Sequence, residues 1–127
     1  MIPLTELRPA FRGNLRPRSG EALEFDCPGC LARGRQHTVR VVFANPLDGG
    51  APMPGAGETR WVREGDAPEA LTLAPSILYP CWHGWVEDGV VISVDEAPAV
   101  IVRRSGPPVA LSPRQWAALK RQMGIQD

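Results

Sequence analysis

Apolar and polar residues alternate along several short stretches of this chain, as is typical of β-strands buried on one face. In the stretch 22–26, Leu23 and Phe25 alternate with acidic residues, and a similar alternation recurs over 38–43. A Cys-Pro-Gly-Cys segment at 27–30 lies between the two stretches. We therefore predict a hairpin with this segment near its tip.

The stretch 81–94 predicts a second hairpin. Apolar alternation continues on both sides of Asp88-Gly89, a dipeptide that favours the two-residue type I′ turn. On a strand of this hairpin, His83 and Trp85 would leave by the same face. Three shorter stretches predict further strands, at 60–63, 70–73 and 99–103.

A helix is predicted over 112–123. Ser112 is suited to the N-cap, Pro113 to the first helical position, and Gln115 to the reciprocal bond of a capping box. The apolar residues at helical spacing should form its buried stripe; they are Trp116, Leu119 and Met123.

Together these patterns predict a mainly β fold of the α+β class: a small antiparallel domain built from hairpins, with one C-terminal helix. The 127 residues suit a single domain, which we place at 21–127. Residues 1–20 carry four arginines and three prolines without periodicity, so we predict an irregular basic arm there. Residues 45–57, rich in proline and glycine, should form an exposed, mobile loop suited to docking a partner.

The chemistry of the chain is concentrated in its three cysteines and two histidines. Cys27 and Cys30 can direct two sulfurs at one centre, and Cys81 and His83 would share a face if both lie on a strand. Three thiolates and one imidazole are the ligands of a closed, tetrahedral, structural zinc site. We predict that a zinc ion bound by these residues stabilises the domain. His37 is the alternative to His83 as the fourth ligand.

Other interpretations of the cysteines fit less well. An odd number of cysteines suits a disulfide framework poorly. A redox dithiol would need Cys27 at a helix N-terminus that lowers its pKa, and the sequence after Cys30 lacks an amphipathic stripe. Ser76 could act as a nucleophile only beside a base, and the sequence places none there.

The charge of the chain argues against one class of protein, the general nucleic-acid binders. The formal net charge is zero, which argues against a general nucleic-acid binder. The first twenty residues are nonetheless basic, the middle of the chain is acidic, and its end is basic again. No apolar run has the length of a membrane span, so we expect a soluble protein without membrane attachment.

The residues 25–30, Trp61, 71–77, 81–83 and the dipeptide 88–89 together resemble a family of small phage and prophage proteins. The family pattern is a Phe-x-Cys-Pro-x-Cys segment, a tryptophan, a Leu-Thr-x-x-Pro-Ser-Ile-like stretch, a cysteine with a histidine, and an Asp-Gly hairpin. Its members are domains of unknown function that have sometimes been labelled ammonia monooxygenase. The resemblance implies a phage-derived zinc-binding β domain. Its ligands would be Cys27, Cys30, Cys81 and His83.

These observations lead to three hypotheses about function. The first is a non-enzymatic zinc protein of a phage or prophage that acts through contacts with a phage or host protein, in the bacterial cytoplasm or in the virion. The second is a zinc-dependent hydrolase with an open metal position. The third is a nucleic-acid-binding zinc module that uses the basic arm and Trp82.

Overall fold

The computed structural model of the protein describes residues 1–12, 21–47 and 60–124. Within these ranges the chain forms short strands and two helices, with 3₁₀ turns at Leu4–Leu7, Pro68–Ala70 and Val94–Glu96. The elements are β1 (Ile2–Pro3), β2 (Ala10–Arg12), β3 (Ala22–Asp26), α1 (Pro28–Leu31), β4 (Thr38–Val42), β5 (Val62–Glu64), β6 (Thr72–Ala74), β7 (Ile77–Tyr79), β8 (Trp82–Glu87), β9 (Val90–Ser93), β10 (Ala99–Ile101), β11 (Val109–Leu111) and α2 (Pro113–Met123).

The strands form four small sheets, and every pair of named strands is antiparallel. The strand orders are β1-β9-β8-β7, β2-β3-β4, β5-β6 and β10-β11. With α2 after the last strand, the architecture confirms the predicted small α+β domain of antiparallel hairpins with a C-terminal helix.

Both predicted hairpins are present. β3 and β4 pair from Ala22 opposite Val42 to Asp26 opposite Thr38, which places the cysteine segment between them. In the second hairpin Glu87 lies opposite Val90, so the turn has the two predicted central residues. Their φ angles are 49° for Asp88 and 75° for Gly89, the positive values that a type I′ turn requires.

The N-terminal segment corrects the prediction of an irregular arm over 1–20. β1 pairs with β9 and β2 pairs with β3, so the first twelve residues contact two sheets. Leu4 is 0% and Leu7 2% exposed, because the 3₁₀ turn directs both side chains into the core. The Leu4 amide also donates to the Gly89 carbonyl at 2.8 Å. Residues 13–20 lie outside the described ranges.

An apolar core joins the two larger sheets. It includes inward residues of strands β3, β4, β6, β7, β8 and β9 together with the two N-terminal leucines and two cysteines. The buried members are Leu4, Leu7, Leu23, Phe25, Cys27, Cys30, Val39, Val41, Phe43, Leu71, Leu73, Ile77, Trp82, Val86 and Val91. The cysteine segment is thus part of the core, at the place where both sheets contribute to it.

The C-terminal helix begins as predicted but is less buried than predicted. The Ser112 hydroxyl accepts from the Gln115 amide at 3.2 Å, and the Gln115 side chain accepts from the Ser112 amide at 3.0 Å. The Ser112 hydroxyl also donates to Glu87 at 2.6 Å, which ties the helix to β8. None of the three stripe residues is buried, and Met123 is 56% exposed. Among the described residues, no helix combines the length and apolar character needed to cross a membrane.

The predicted docking loop over 45–57 lies almost wholly outside the described residues. Only its first residues can be placed. Asn45 forms two side-chain bonds to the backbone of Arg63, both 2.9 Å, and Leu47 packs against the core.

Candidate metal centre

The Cys27–Cys30 segment forms one turn of helix directly after β3. Pro28 occupies the first helical position, where its missing N–H and fixed φ suit the start of a helix. The Cys27 carbonyl accepts from the Leu31 amide at 3.0 Å, and the Cys30 carbonyl accepts from the Arg35 amide at 2.8 Å. These bonds hold both cysteines in place at the end of the hairpin.

His37 lies on the opposite arm of the same hairpin, immediately before β4. Its carbonyl accepts from the Cys27 amide at 2.8 Å, which closes the hairpin beside the first cysteine. Its ring packs edge-on against Tyr79, with the ring centroids 5.4 Å apart. The Tyr79 hydroxyl in turn accepts from the Arg40 amide and donates to the Arg40 carbonyl, both at 3.0 Å. The Tyr79 ring therefore restricts the orientation of the imidazole.

Cys81 arrives from the other sheet, at the turn between β7 and β8. Its Sγ is 3.5 Å from Cys27 Sγ and 3.4 Å from Nδ1 of His37. The Arg33 guanidinium donates to the Cys81 carbonyl at 3.4 Å and so links this turn to the cysteine segment.

Gly29 allows the two segments to approach this closely. A Cβ at this position would overlap the carbonyl oxygen of Cys81 and lie 3.1 Å from the Cβ of Trp82. Trp82 is 7% exposed and packs edge-on against Phe25, with centroids 6.1 Å apart. Trp82, which the nucleic-acid hypothesis requires at the surface, therefore lies in the core and holds the adjacent Cys81 in position from there.

These contacts bring four donor atoms together. The Sγ atoms of Cys27, Cys30 and Cys81 and a ring nitrogen of His37 all lie within 4.8 Å of one another. All three cysteines are free, and Cys27 and Cys30 are buried. The cluster has the composition and convergence of a metal site.

His83 does not belong to this cluster, which corrects the predicted fourth position. It lies on β8 opposite Leu78, and its side chain is exposed. Its Nε2 is 3.1 Å from the Ser76 hydroxyl instead. Residues two apart point from the same face of a strand only when both belong to the strand, and β8 begins at Trp82. Cys81 lies in the preceding turn, so its side chain does not follow the face of His83.

The pairing of Ser76 with His83 is a contact that sequence reasoning missed. The two residues line one cavity of about 390 Å³, whose wall includes Trp85 and Val94. The contact follows from the register of β7 with β8. Ile77 lies opposite Gly84, so Ser76 and His83, the residues before each of them, are close to one another. The chain's two histidines thus have separate surroundings, His37 among the cysteines and His83 beside a serine.

The thiols differ in acidity in ways that follow from their surroundings. The pKa of Cys27 is raised to about 11, chiefly by burial and also by hydrogen bonding to Cys81. Burial also opposes ionisation of Cys81, but hydrogen bonds from the Cys27 and Cys30 thiols and attraction by Arg33 outweigh it, so that its pKa is lowered. A raised pKa at the first cysteine is the opposite of what a redox dithiol uses.

The raised pKa of Cys27 predicts that zinc affinity falls as the pH is lowered. At neutral pH this thiol is protonated without a metal, because its pKa of about 11 lies far above neutrality. A zinc ion bound at this site would have to displace that proton to reach the thiolate, so protons would compete with the metal. We expect the affinity to fall at least about tenfold for each unit between about pH 8 and about pH 6.

Competition against a chelator of known affinity at each pH measures this dependence. Titration of the chelator with zinc alone corrects for its own protonation. An affinity that stays constant over the range would contradict a thiolate site.

Comparisons with models of protein families, with curated proteins and with solved structures found no match for this chain.

Proposed function

We propose that the protein is a structural zinc protein in which Cys27, Cys30, His37 and Cys81 bind one Zn²⁺. The observation that carries this proposal is the convergence of the four donor atoms within 4.8 Å. Three of the donors come from the β3–β4 hairpin and the fourth from the turn before β8. A bound ion would add a further link between two sheets that already meet through the core and through the hydrogen bonds of Tyr79 with Arg40.

The distances within the cluster support zinc. With Zn–S bonds near 2.3 Å, two sulfurs of a tetrahedral site lie about 3.8 Å apart, and a sulfur and a nitrogen slightly closer. The observed separations, 3.5 Å between Cys27 and Cys81 and 3.4 Å between Cys81 and His37, are near these values. A set of thiolates and an imidazole also binds zinc in preference to magnesium or calcium, which favour oxygen ligands.

The number of donors supports a structural role over a catalytic one. A tetrahedral ion bound by four protein groups has no position for water, whereas catalytic zinc retains one. Two of the four donors belong to buried cysteines of the core. The zinc-dependent hydrolase remains the alternative, and it requires one of these donors to be replaced by water.

We expect purified protein to contain about one zinc ion per chain and to melt at a markedly lower temperature once a strong chelator removes it. The site closes a loop between positions 54 residues apart, so binding energy contributes directly to folding. Elemental analysis with thermal denaturation, before and after chelation, measures both effects.

The control is re-addition of zinc, which should restore the original melting temperature, whereas magnesium should not. X-ray absorption at the zinc edge then separates the alternatives. Three sulfurs and one nitrogen fit the structural site, and an oxygen in place of one donor fits the hydrolase. A chelated protein that melts unchanged and a native sample without metal would contradict the whole proposal.

We further propose that the domain is of phage or prophage origin and acts by binding another protein. The sequence resemblance supports the origin, and the four-donor set supports a role that is not catalytic. Affinity purification from induced lysogenic cells tests the partner directly. Binding to nucleic acid that weakens steeply with salt would favour the third hypothesis instead.

A further inference from the structure

The segment Asp95 to Arg104 has an unusual order of charges. It begins with two acidic residues, continues with Ala-Pro-Ala and three β-branched apolar residues, and ends with two arginines. An antiparallel copy of the same segment would present the opposite order at each end. The segment is therefore complementary to itself.

The apolar centre of this segment lies on an open strand edge. β10 pairs with β11 along one edge, and no other described strand pairs with it. Val100 is 59% exposed and Val102, the first apolar residue after the strand, is 81% exposed. An exposed edge with β-branched residues and without a lysine or a central proline is suited to pairing with another strand.

The charges at both ends of the segment are available to a partner. Asp95, Arg103 and Arg104 are exposed, and none of them forms an ion pair within residues 1–12, 21–47 and 60–124. Glu96 differs, because it binds the N-terminal ammonium group and the Ser93 amide. Asp95 is thus the free acidic group at the start of the segment and Arg104 a free basic group at its end.

We propose that β10 is the site where this protein associates with a second copy of itself, through antiparallel pairing of the two β10 edges about a twofold axis. Antiparallel pairing brings the arginines of each copy to the acidic end of the other. Parallel pairing would bring like charges together at both ends. The charge order therefore selects both the partner, a second copy, and the direction of the pairing.

The expected dimer is weak. Two strands of three residues bury much less surface than a standard stable interface, so the dissociation constant should lie roughly between 10 µM and 1 mM. Neither the strand nor its charges belong to the cysteine cluster, so the association is independent of the proposed zinc site.

Two charge reversals, Asp95→Lys and Arg104→Glu, test the proposal by sedimentation equilibrium at up to about 1 mM protein. Each variant alone should dimerise at least about tenfold more weakly than the parent, because both ends of the pairing then bring like charges together. An equimolar mixture of the two variants should recover the parental affinity, since each charge then meets its opposite.

Arg121→Glu is the matched control, because it reverses an exposed arginine on α2 and should leave the association unchanged. Unchanged melting temperatures of all variants would show that the fold is intact. A parent protein that stays monomeric over this concentration range overturns the proposal. The β10 edge would then be a candidate for pairing with a strand of a different protein. Variants that dimerise like the parent, or a mixture that fails to recover, overturn it as well.

Discussion

His37→Ala will abolish stoichiometric zinc binding and lower the melting temperature, whereas His83→Ala will leave both nearly unchanged. His37 Nδ1 lies 3.4 Å from Cys81 Sγ, within the cluster of donors, while His83 contacts the Ser76 hydroxyl at an exposed position. Loss of a residue that only supports a ligand costs about 10- to 100-fold in metal affinity, so loss of a ligand should cost at least about a hundredfold. Loss of the exposed His83 bond should cost less than about 1 kcal/mol in the free energy of unfolding.

The two variants control for each other, because they are the chain's only histidines and undergo the same change. Zinc content after dialysis and the melting temperature are the measurements. If the effects were exchanged, His83 would be the fourth ligand, as the sequence alone suggested. If both variants kept one zinc, water could complete a three-thiolate site, and the open coordination of the hydrolase hypothesis would gain support.

Gly89→Ala will destabilise the fold by about 3–5 kcal/mol in the free energy of unfolding, well beyond the strain of an ordinary turn. The residue has a φ of 75°, and an added Cβ would overlap the Glu69 carbonyl group. Its amide donates to the Leu71 carbonyl and its carbonyl accepts from the Leu4 amide, both at 2.8 Å. The substitution therefore disturbs the place where the N-terminal segment, the Asp88-Gly89 turn and the chain before β6 meet.

Gly124→Ala separates the backbone effect from the overlap. Gly124 has a nearly identical φ of 73°, but nothing lies within 4 Å of where its Cβ would be. The Gly124→Ala substitution should lower the free energy of unfolding by about 1 kcal/mol, the ordinary cost of placing a residue other than glycine in the left-handed region. Urea denaturation of both variants compares them directly. Equal losses would mean that Glu69 can move away, and that the turn is not tightly enclosed.

The sequence predicted the hairpins well because their determinants are local. Alternation over 22–26 defined β3 to the residue, and the Asp88-Gly89 dipeptide defined the register of β8 with β9. The N-cap of α2 was equally readable, because Ser112 and Gln115 bond to each other's backbone. In each case the residues that carry the signal are also the residues that make the contact.

The fourth member of the cluster could not be predicted in the same way. His37 and His83 are both near a cysteine in sequence, and the choice between them depends on whether Cys81 is inside strand β8 or in the turn before it. A difference of one residue in the start of a strand decides which face Cys81 shares. That start is set by the packing of Trp82 against Phe25 and by the approach of Gly29, which are tertiary contacts.

The N-terminal segment was misjudged for a related reason. Its prolines and arginines are typical of an irregular arm, and its three leucines are too few to show a period. Leu4 and Leu7 are nonetheless fully or almost fully buried, because β1 and β2 each add to a sheet already formed by later residues. Strands of two or three residues carry too little pattern of their own to be recognised without their partners.

The distribution of the four donors along the chain also bears on how the protein is made. Cys27, Cys30 and His37 leave the ribosome together, on a single hairpin, whereas Cys81 follows Cys27 by 54 residues. In the proposed zinc site, a nascent chain would hold the ion with three donors while the second half is still being translated, and Cys81 would be the last ligand to bind. Zinc would then be acquired during synthesis, and cells short of zinc during expression would accumulate chains in which only the apolar core and a few hydrogen bonds hold the two sheets together.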